Sequence, residues 1–209
     1  MTFKIIGAKS GTELDTDSNK AIYTRQPWQL PGLDRGAAFY TVTGGPAAIV
    51  AATLAANTPL ASIRFAFGSL RRAYLTRFQL FTSIATVGAS ALVPGKFGIQ
   101  RFYNATPTGG TARVPNQMDA SSAGSDMFDC RDNNAALTVT GVIFRDVVGQ
   151  QNMPVGISDS GLGFEWTFEP QYPVVIQPGE GLALRTQVAM PATQTWVYSY
   201  IWQWREELI

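Results

Sequence analysis

Glu165 and Glu169 stand four residues apart in LGFEWTFEP, and two carboxylates are the minimum that glycoside hydrolysis requires. On one extended strand they would share a face about 13 Å apart, wider than either hydrolytic mechanism uses. Carboxylates brought together from different strands could still converge. DTDSNK (residues 15–20) places Asp15, Asp17 and Asn19 at alternate positions, as a calcium loop does. The pattern then breaks, because Lys20 stands where the loop needs glycine and Gln26 where it needs a bidentate glutamate; the plain reading is a solvated turn. Cys130 lies beside Arg131, which could lower its pKa. With no histidine anywhere in the chain the usual partner base is missing, and a structural thiol is the simpler reading. A Ser-Lys dyad would have to recruit one of only four lysines, and no local motif points to one. The glycines of SGLGFEW lack both the P-loop lysine and the dinucleotide spacing, so they serve turns. No cofactor motif and no metal-ligand set emerges.

Arg71, Arg72, Tyr74 and Arg77 put cations among aromatics, yet nucleic-acid sites show a broad basic footprint. Sixteen basic against fifteen acidic side chains leave a net charge of +1, which favours neither nucleic acid nor an anionic membrane. The conspicuous chemistry is aromatic. In TWVYSYIWQW (195–204), Trp196, Tyr198, Tyr200, Trp202 and Trp204 recur every second residue, so in an extended chain all five line one face. They could stack a ligand, but five rings with few flanking donors fit a core, with the Tyr hydroxyls and Trp nitrogens reaching polar partners near its edge. The opposite face carries Val197, Ser199, Ile201, Gln203 and Arg205. Val197 and Ile201 are apolar where a half-buried strand normally turns polar residues outward, which predicts a second subunit over that face, around the axis of a trimer.

The elements that must position these residues read as β-strands. Alternating segments at 61–67, 73–81, 96–103, 137–144, 162–168, 172–176, 182–188 and 195–204 are separated by turn formers such as VPGK, TPTGGT, IQPGEG and AMPAT, the rhythm of an all-β sandwich. Two stretches resist. PAAIVAATLAAN (46–57) suits either a short helix or an extended segment, and the polar stretch 118–136 reads as a long surface loop. Residues 1–35 are turn-rich and weakly periodic, an arm ahead of a β-sandwich body at 36–209. The arm retains Ile5, Ile6, Ile22, Tyr23 and Trp28, residues that a permanently disordered tail would seldom keep, so it is expected to order against a neighbour.

Charged residues are 15% of the chain and apolar residues 45%; the charge is low against an average of roughly 25%, as suits a surface partly covered by partners. Twelve of the sixteen cations are arginine, the cation that interfaces favour. A lone cysteine allows no intrachain disulfide. The N-terminus shows no secretory signal pattern, and no run approaches the roughly eighteen apolar residues of a membrane-spanning helix.

Four pieces together resemble virion structural proteins of tailed bacteriophages: FKIIGAKSGTELDTDSNKAI, LASIRFAFGSLRRAYLTRFQLFTSI, FGIQRFYNATPTGGTA and PVVIQPGEGLALRTQVAMPATQTWVYSYIWQW. The resemblance implies a jelly-roll-like β-sandwich without catalytic residues, made in the host cytoplasm and carried in the virion. It implies a capsid decoration or cement protein whose partners are itself and the major capsid protein or other virion proteins. A tail, neck or baseplate component is the alternative in that class, and a carbohydrate- or receptor-binding module the alternative outside it. The aromatic last strand and the 118–136 stretch depart from the pattern.

Overall fold

The computed structural model describes residues 15–16, 22–23, 38–50, 55–86, 95–118, 124–132, 137–140, 142–153, 162–168, 174–189 and 195–208. Among them every regular element is a strand: β1 (Asp15–Thr16), β2 (Ile22–Tyr23), β3 (Ala38–Val50), β4 (Pro59–Phe65), β5 (Arg71–Thr86), β6 (Gly95–Tyr103) and β7 (Thr111–Arg113). The series continues with β8 (Asn116–Gln117), β9 (Met127–Asp132), β10 (Val142–Met153), β11 (Leu162–Thr167), β12 (Val174–Ile176), β13 (Glu180–Thr186) and β14 (Thr195–Leu208). β1 and β2 form their own antiparallel pair, Asp15 opposite Tyr23 and Thr16 opposite Ile22. Ile5, Ile6 and Trp28 lie outside the described residues.

The other strands form two antiparallel sheets in the orders β11-β5-β14-β3-β8, with β12 also on β5, and β10-β6-β13-β4-β9-β7. Their path is a nested hairpin. Of the eight long-path strands the first pairs with the last (β3 with β14), the second with the second-last (β4 with β13), the third with the third-last (β5 with β11) and the fourth with the fourth-last (β6 with β10). Curling that hairpin into a roll brings β14 against β5 and β13 against β6, which supplies the remaining ladders. The architecture is a jelly-roll β-sandwich.

The core lies between the sheets, since each strand turns every second residue inward. Leu60, Ile63, Phe65, Leu75, Phe78, Leu80, Phe97, Ile99, Leu182 and Leu184 meet there with the five rings of β14, all buried. PVVIQPGEGLALR folds as its turn chemistry dictates: Gly179 adopts φ +83° and the Glu180 amide donates to the Gln177 carbonyl at 2.9 Å, a conformation open to glycine without strain.

One open reading is resolved and two expectations need correction. The ambiguous stretch 46–57 is not helical where it is described: residues 46–50 complete β3, and Asn57 turns with φ +65°. The GGP ahead of it makes a bulge, where the β14 register slips between Tyr198 and Tyr200. Gly45 takes φ +93° there, and a Cβ on Gly44 would run into the Tyr200 ring. The supposed loop 118–136 contains β9, which pairs with β4 and β7. Its charges disguise it, and its two aspartates, Asp129 and Asp132, are answered by Arg64 of β4 and Arg113 of β7. The strand expected at 137–144 begins only at Val142; before it, Thr138 makes a single bridge to Thr108.

Candidate functional site

Among the described residues, the chemical candidates do not assemble into a catalytic group. Arg77 clasps Glu165 in a two-pronged ion pair, Nε to Oε1 at 2.8 Å and Nη2 to Oε2 at 2.6 Å, and Gln79 adds a bond of 2.9 Å. Hydrogen bonds from Arg77 and then Gln79 hold the Glu165 carboxyl below its ordinary pKa, so it stays ionised and is a poor proton donor. Glu169 lies outside the described residues, as do Asp17 and Asn19, while Asp15 sits in β1. Cys130 is buried, and its thiol is pushed well above the ordinary range, first by burial and then by the charges of Asp129 and Glu206. The adjacent Arg131 does not activate it, because that guanidinium turns to the Gly109 carbonyl at 2.8 Å and to Asp129 at 3.7 Å. Among the described residues no group of three His, Cys, Asp or Glu is placed to hold a metal. Arg71, Arg72 and Arg77 do not form one patch: Arg71 turns to Gly124, Asp126 and Glu206, Arg72 lies 5.9 Å from the Tyr74 ring centre, and Arg77 serves Glu165.

The aromatic stripe belongs to the interior. Trp196, Tyr198, Tyr200, Trp202 and Trp204 are all buried, with Trp202 tilted against Phe78 at 4.2 Å between ring centres and Trp204 stacked on Tyr40 at 6.0 Å. Their polar atoms divide. The Tyr198 hydroxyl donates to the Leu60 carbonyl at 2.8 Å and Trp204 Nε1 to Glu206 at 2.9 Å, whereas Trp196 Nε1 and Trp202 Nε1 meet no acceptor. The expectation that the Trp nitrogens find partners therefore holds only for Trp204. Trp202 sits mid-strand, while Trp204 lies one inward step from the strand's buried glutamate, Glu206.

Glu206 is a feature the residue types alone did not advertise. Fully buried, it accepts from Trp204 Nε1, from the Asp126 amide at 3.0 Å and from the Ser125 hydroxyl, and faces Arg71 Nη1 at 3.5 Å. Such a carboxylate must be hydrogen-bonded to be tolerated in the interior, and these bonds tie the start of β9 to β14. A signal was present: Glu206 continues the even-numbered inward set that begins at Trp196.

The two outer faces differ. On the β4–β13–β6 side the outward positions Ser62, Ala183, Arg185 and Phe102 are buried, because residues around Ala105, Leu137 and Val139 form a second small core over them and Arg185 donates to the Val139 carbonyl at 3.3 Å. On the β5–β14–β3 side Val197, Ser199, Ile201, Gln203 and Arg205 remain half-buried, and Phe81 is 38% exposed. The register sets Phe81 opposite Ser199 and Ile201 between Gln79 and Thr43, which gathers Phe81, Val197 and Ile201 at one end of the face. At the other end charges are already paired: Arg77 with Glu165, and Arg205 with Glu207 at 2.8 Å while Arg205 lies 4.5 Å over the Tyr74 ring. A face apolar at one end and carrying internally paired charges toward the other is suited to contact with another protein surface.

No family model, curated protein or solved structure matches this chain.

Proposed function

We propose that the protein is a non-enzymatic virion structural subunit, a capsid decoration or cement protein that stabilises a phage head through contacts with itself and with the major capsid protein. The observation that carries this reading is the nested-hairpin roll of eight strands, an architecture that viral capsid and lectin domains share; the step from fold to role is an analogy. It is supported by the contrast between the outer faces, one closed by the chain's own small core and the other presenting Phe81, Val197 and Ile201. On this reading that face packs on a second copy around a three-fold axis, and the N-terminal arm adds contacts to a neighbour. The test is to purify phage particles from cells producing a tagged copy of the full chain and to locate it in particle density. Density for the chain at repeated sites on the head is the expected result. Density at the tail or baseplate would move the role there, and absence from purified particles would refute it.

A further inference from the structure

Phe81 stands on the outer face of β5 in a row of the smallest residues. The ladders set it opposite Gly163 of β11 and Ser199 of β14, and Ser199 in turn faces the β3 bulge at Gly45, where the register slips. A glycine within a strand marks a close approach by another group. At Gly163 that group is the Phe81 ring, which a Cβ would meet at 2.9 Å. The ring, 38% exposed, is therefore seated against bare backbone on one side. On its other side the Ser199 side chain is short and Gly45 carries none; a Cβ there would come within 2.7 Å of the Ser199 Cα.

The same face thus holds a knob and a hollow. Phe81 is the knob. The hollow is floored by Ser199 and Gly45 and walled along β14 by Val197 and Ile201, both half-buried. Four residues of extended chain separate those walls by roughly 13 Å, room for one aromatic ring between them. Charge does not oppose a meeting of two such faces at this end. Glu165, two residues along β11 from Gly163, is already clasped by Arg77 at 2.6 Å within one chain, so it brings no bare like charge against a second copy.

We propose that Phe81 of one copy seats in the hollow between Val197 and Ile201, over Ser199, of a second copy, and that this contact anchors self-association through the β5–β14–β3 face. The contact presupposes the self-packing of that face proposed above and names the residues that carry it. A face bearing both halves lets every copy give one ring and receive one, as closure of a symmetric assembly requires. Gly163 holds the ring in place before docking, which lowers the ordering cost, and a desolvated aromatic at the centre of a contact is where binding energy concentrates. The other sheet's outer face offers no comparable surface, because the small core around Leu137 and Val139 closes it.

Sedimentation of the full chain over a concentration series reads the dissociation constant of the oligomer. Phe81→Ala should raise it roughly thirty-fold or more, as loss of a central ring does. Ser199→Phe fills the hollow while leaving the knob and should act in the same direction. Gly163→Ala pushes the ring off its seat without deleting any atom of the contact, and should weaken association by a smaller factor. Phe67→Ala is the control: that ring is more exposed, at 50%, but lies beyond the start of β5 against Tyr103, Arg64 and Gly179, and its loss should change nothing. Circular dichroism checks that each variant is folded, and the knob and hollow substitutions test the contact independently if one of them is not. A full chain that stays monomeric at every concentration would remove the self-packing of the face altogether. An oligomer that tolerates both Phe81→Ala and Ser199→Phe would overturn the knob and hollow alone.

Discussion

Trp202 and Trp204 pose a controlled comparison, because both are fully buried on the same face of β14 and only one has a partner for its indole nitrogen. Replacing either with Phe removes a volume of roughly 40 Å³, which at about 24 cal/mol per Å³ of cavity costs about 1 kcal/mol. For Trp204→Phe the bond to the buried Glu206 carboxylate is lost as well, adding about 1.5–3 kcal/mol for a hydrogen bond to a charged group. The sum is about 2.5–4 kcal/mol. For Trp202→Phe the substitution removes an N–H that has no acceptor, and relief of its desolvation, about 1–3 kcal/mol, offsets the cavity. Trp202→Phe is therefore expected to be near neutral, and a gap of at least about 2 kcal/mol should separate the variants. Guanidinium denaturation followed by far-ultraviolet circular dichroism measures both, with unchanged m-values as the check that only stability moved. Combining Trp204→Phe with Glu206→Gln closes a double-mutant cycle, in which coupling of about 0.5–3 kcal/mol is expected. Equal losses for the two Trp→Phe variants would refute the assignment of Trp204 Nε1 to Glu206 as the distinguishing interaction.

The proposed self-association predicts that Val197→Lys with Ile201→Lys gives folded monomers in analytical ultracentrifugation; an unchanged oligomer would remove that face from the interface. Burial and the nearby Asp129 and Glu206 charges raise the Cys130 pKa from an ordinary 9.0, so the native thiol should resist a thiol reagent at mildly alkaline pH and react once the chain is unfolded. The linkage has a definite sign: above the unfolded thiol's pKa the unfolded chain releases a proton that the folded chain keeps, so stability declines as pH rises beyond about 9. Burial of Tyr200 works in the same direction above its ordinary 10.0. Gly44→Ala should destabilise by about 1–3 kcal/mol, because the new Cβ meets the Tyr200 ring in a packed core; calorimetry should show a fall of about 2–4 °C per kcal/mol, and an unchanged midpoint would mean that the ring moves aside freely.

The sequence alone carried what depends on local backbone geometry. Period-two spacing places Trp196 through Trp204 on one side of a strand because successive side chains alternate, whatever the strand packs against. Pro178-Gly179 marks its turn because glycine tolerates the positive φ required there. The tertiary structure decided what depends on meetings between distant segments. MFDCRD reads as loop until Arg64, 65 residues away, and Arg113 supply partners for Asp129 and Asp132, since a charged strand is stable only where the fold answers its charges. The glycines at 44 and 45 have no local explanation until the Tyr200 ring and the register slip opposite β14 supply one. Glu206 lies on the inward parity, but only the return of residues 125–126 across β14 makes its burial tolerable. The braced Phe67 ring was least legible of all: Arg64, Tyr103 and Gly179 come from three separate stretches of chain, and no spacing rule within any one of them records the contact that curling the hairpin into a roll creates.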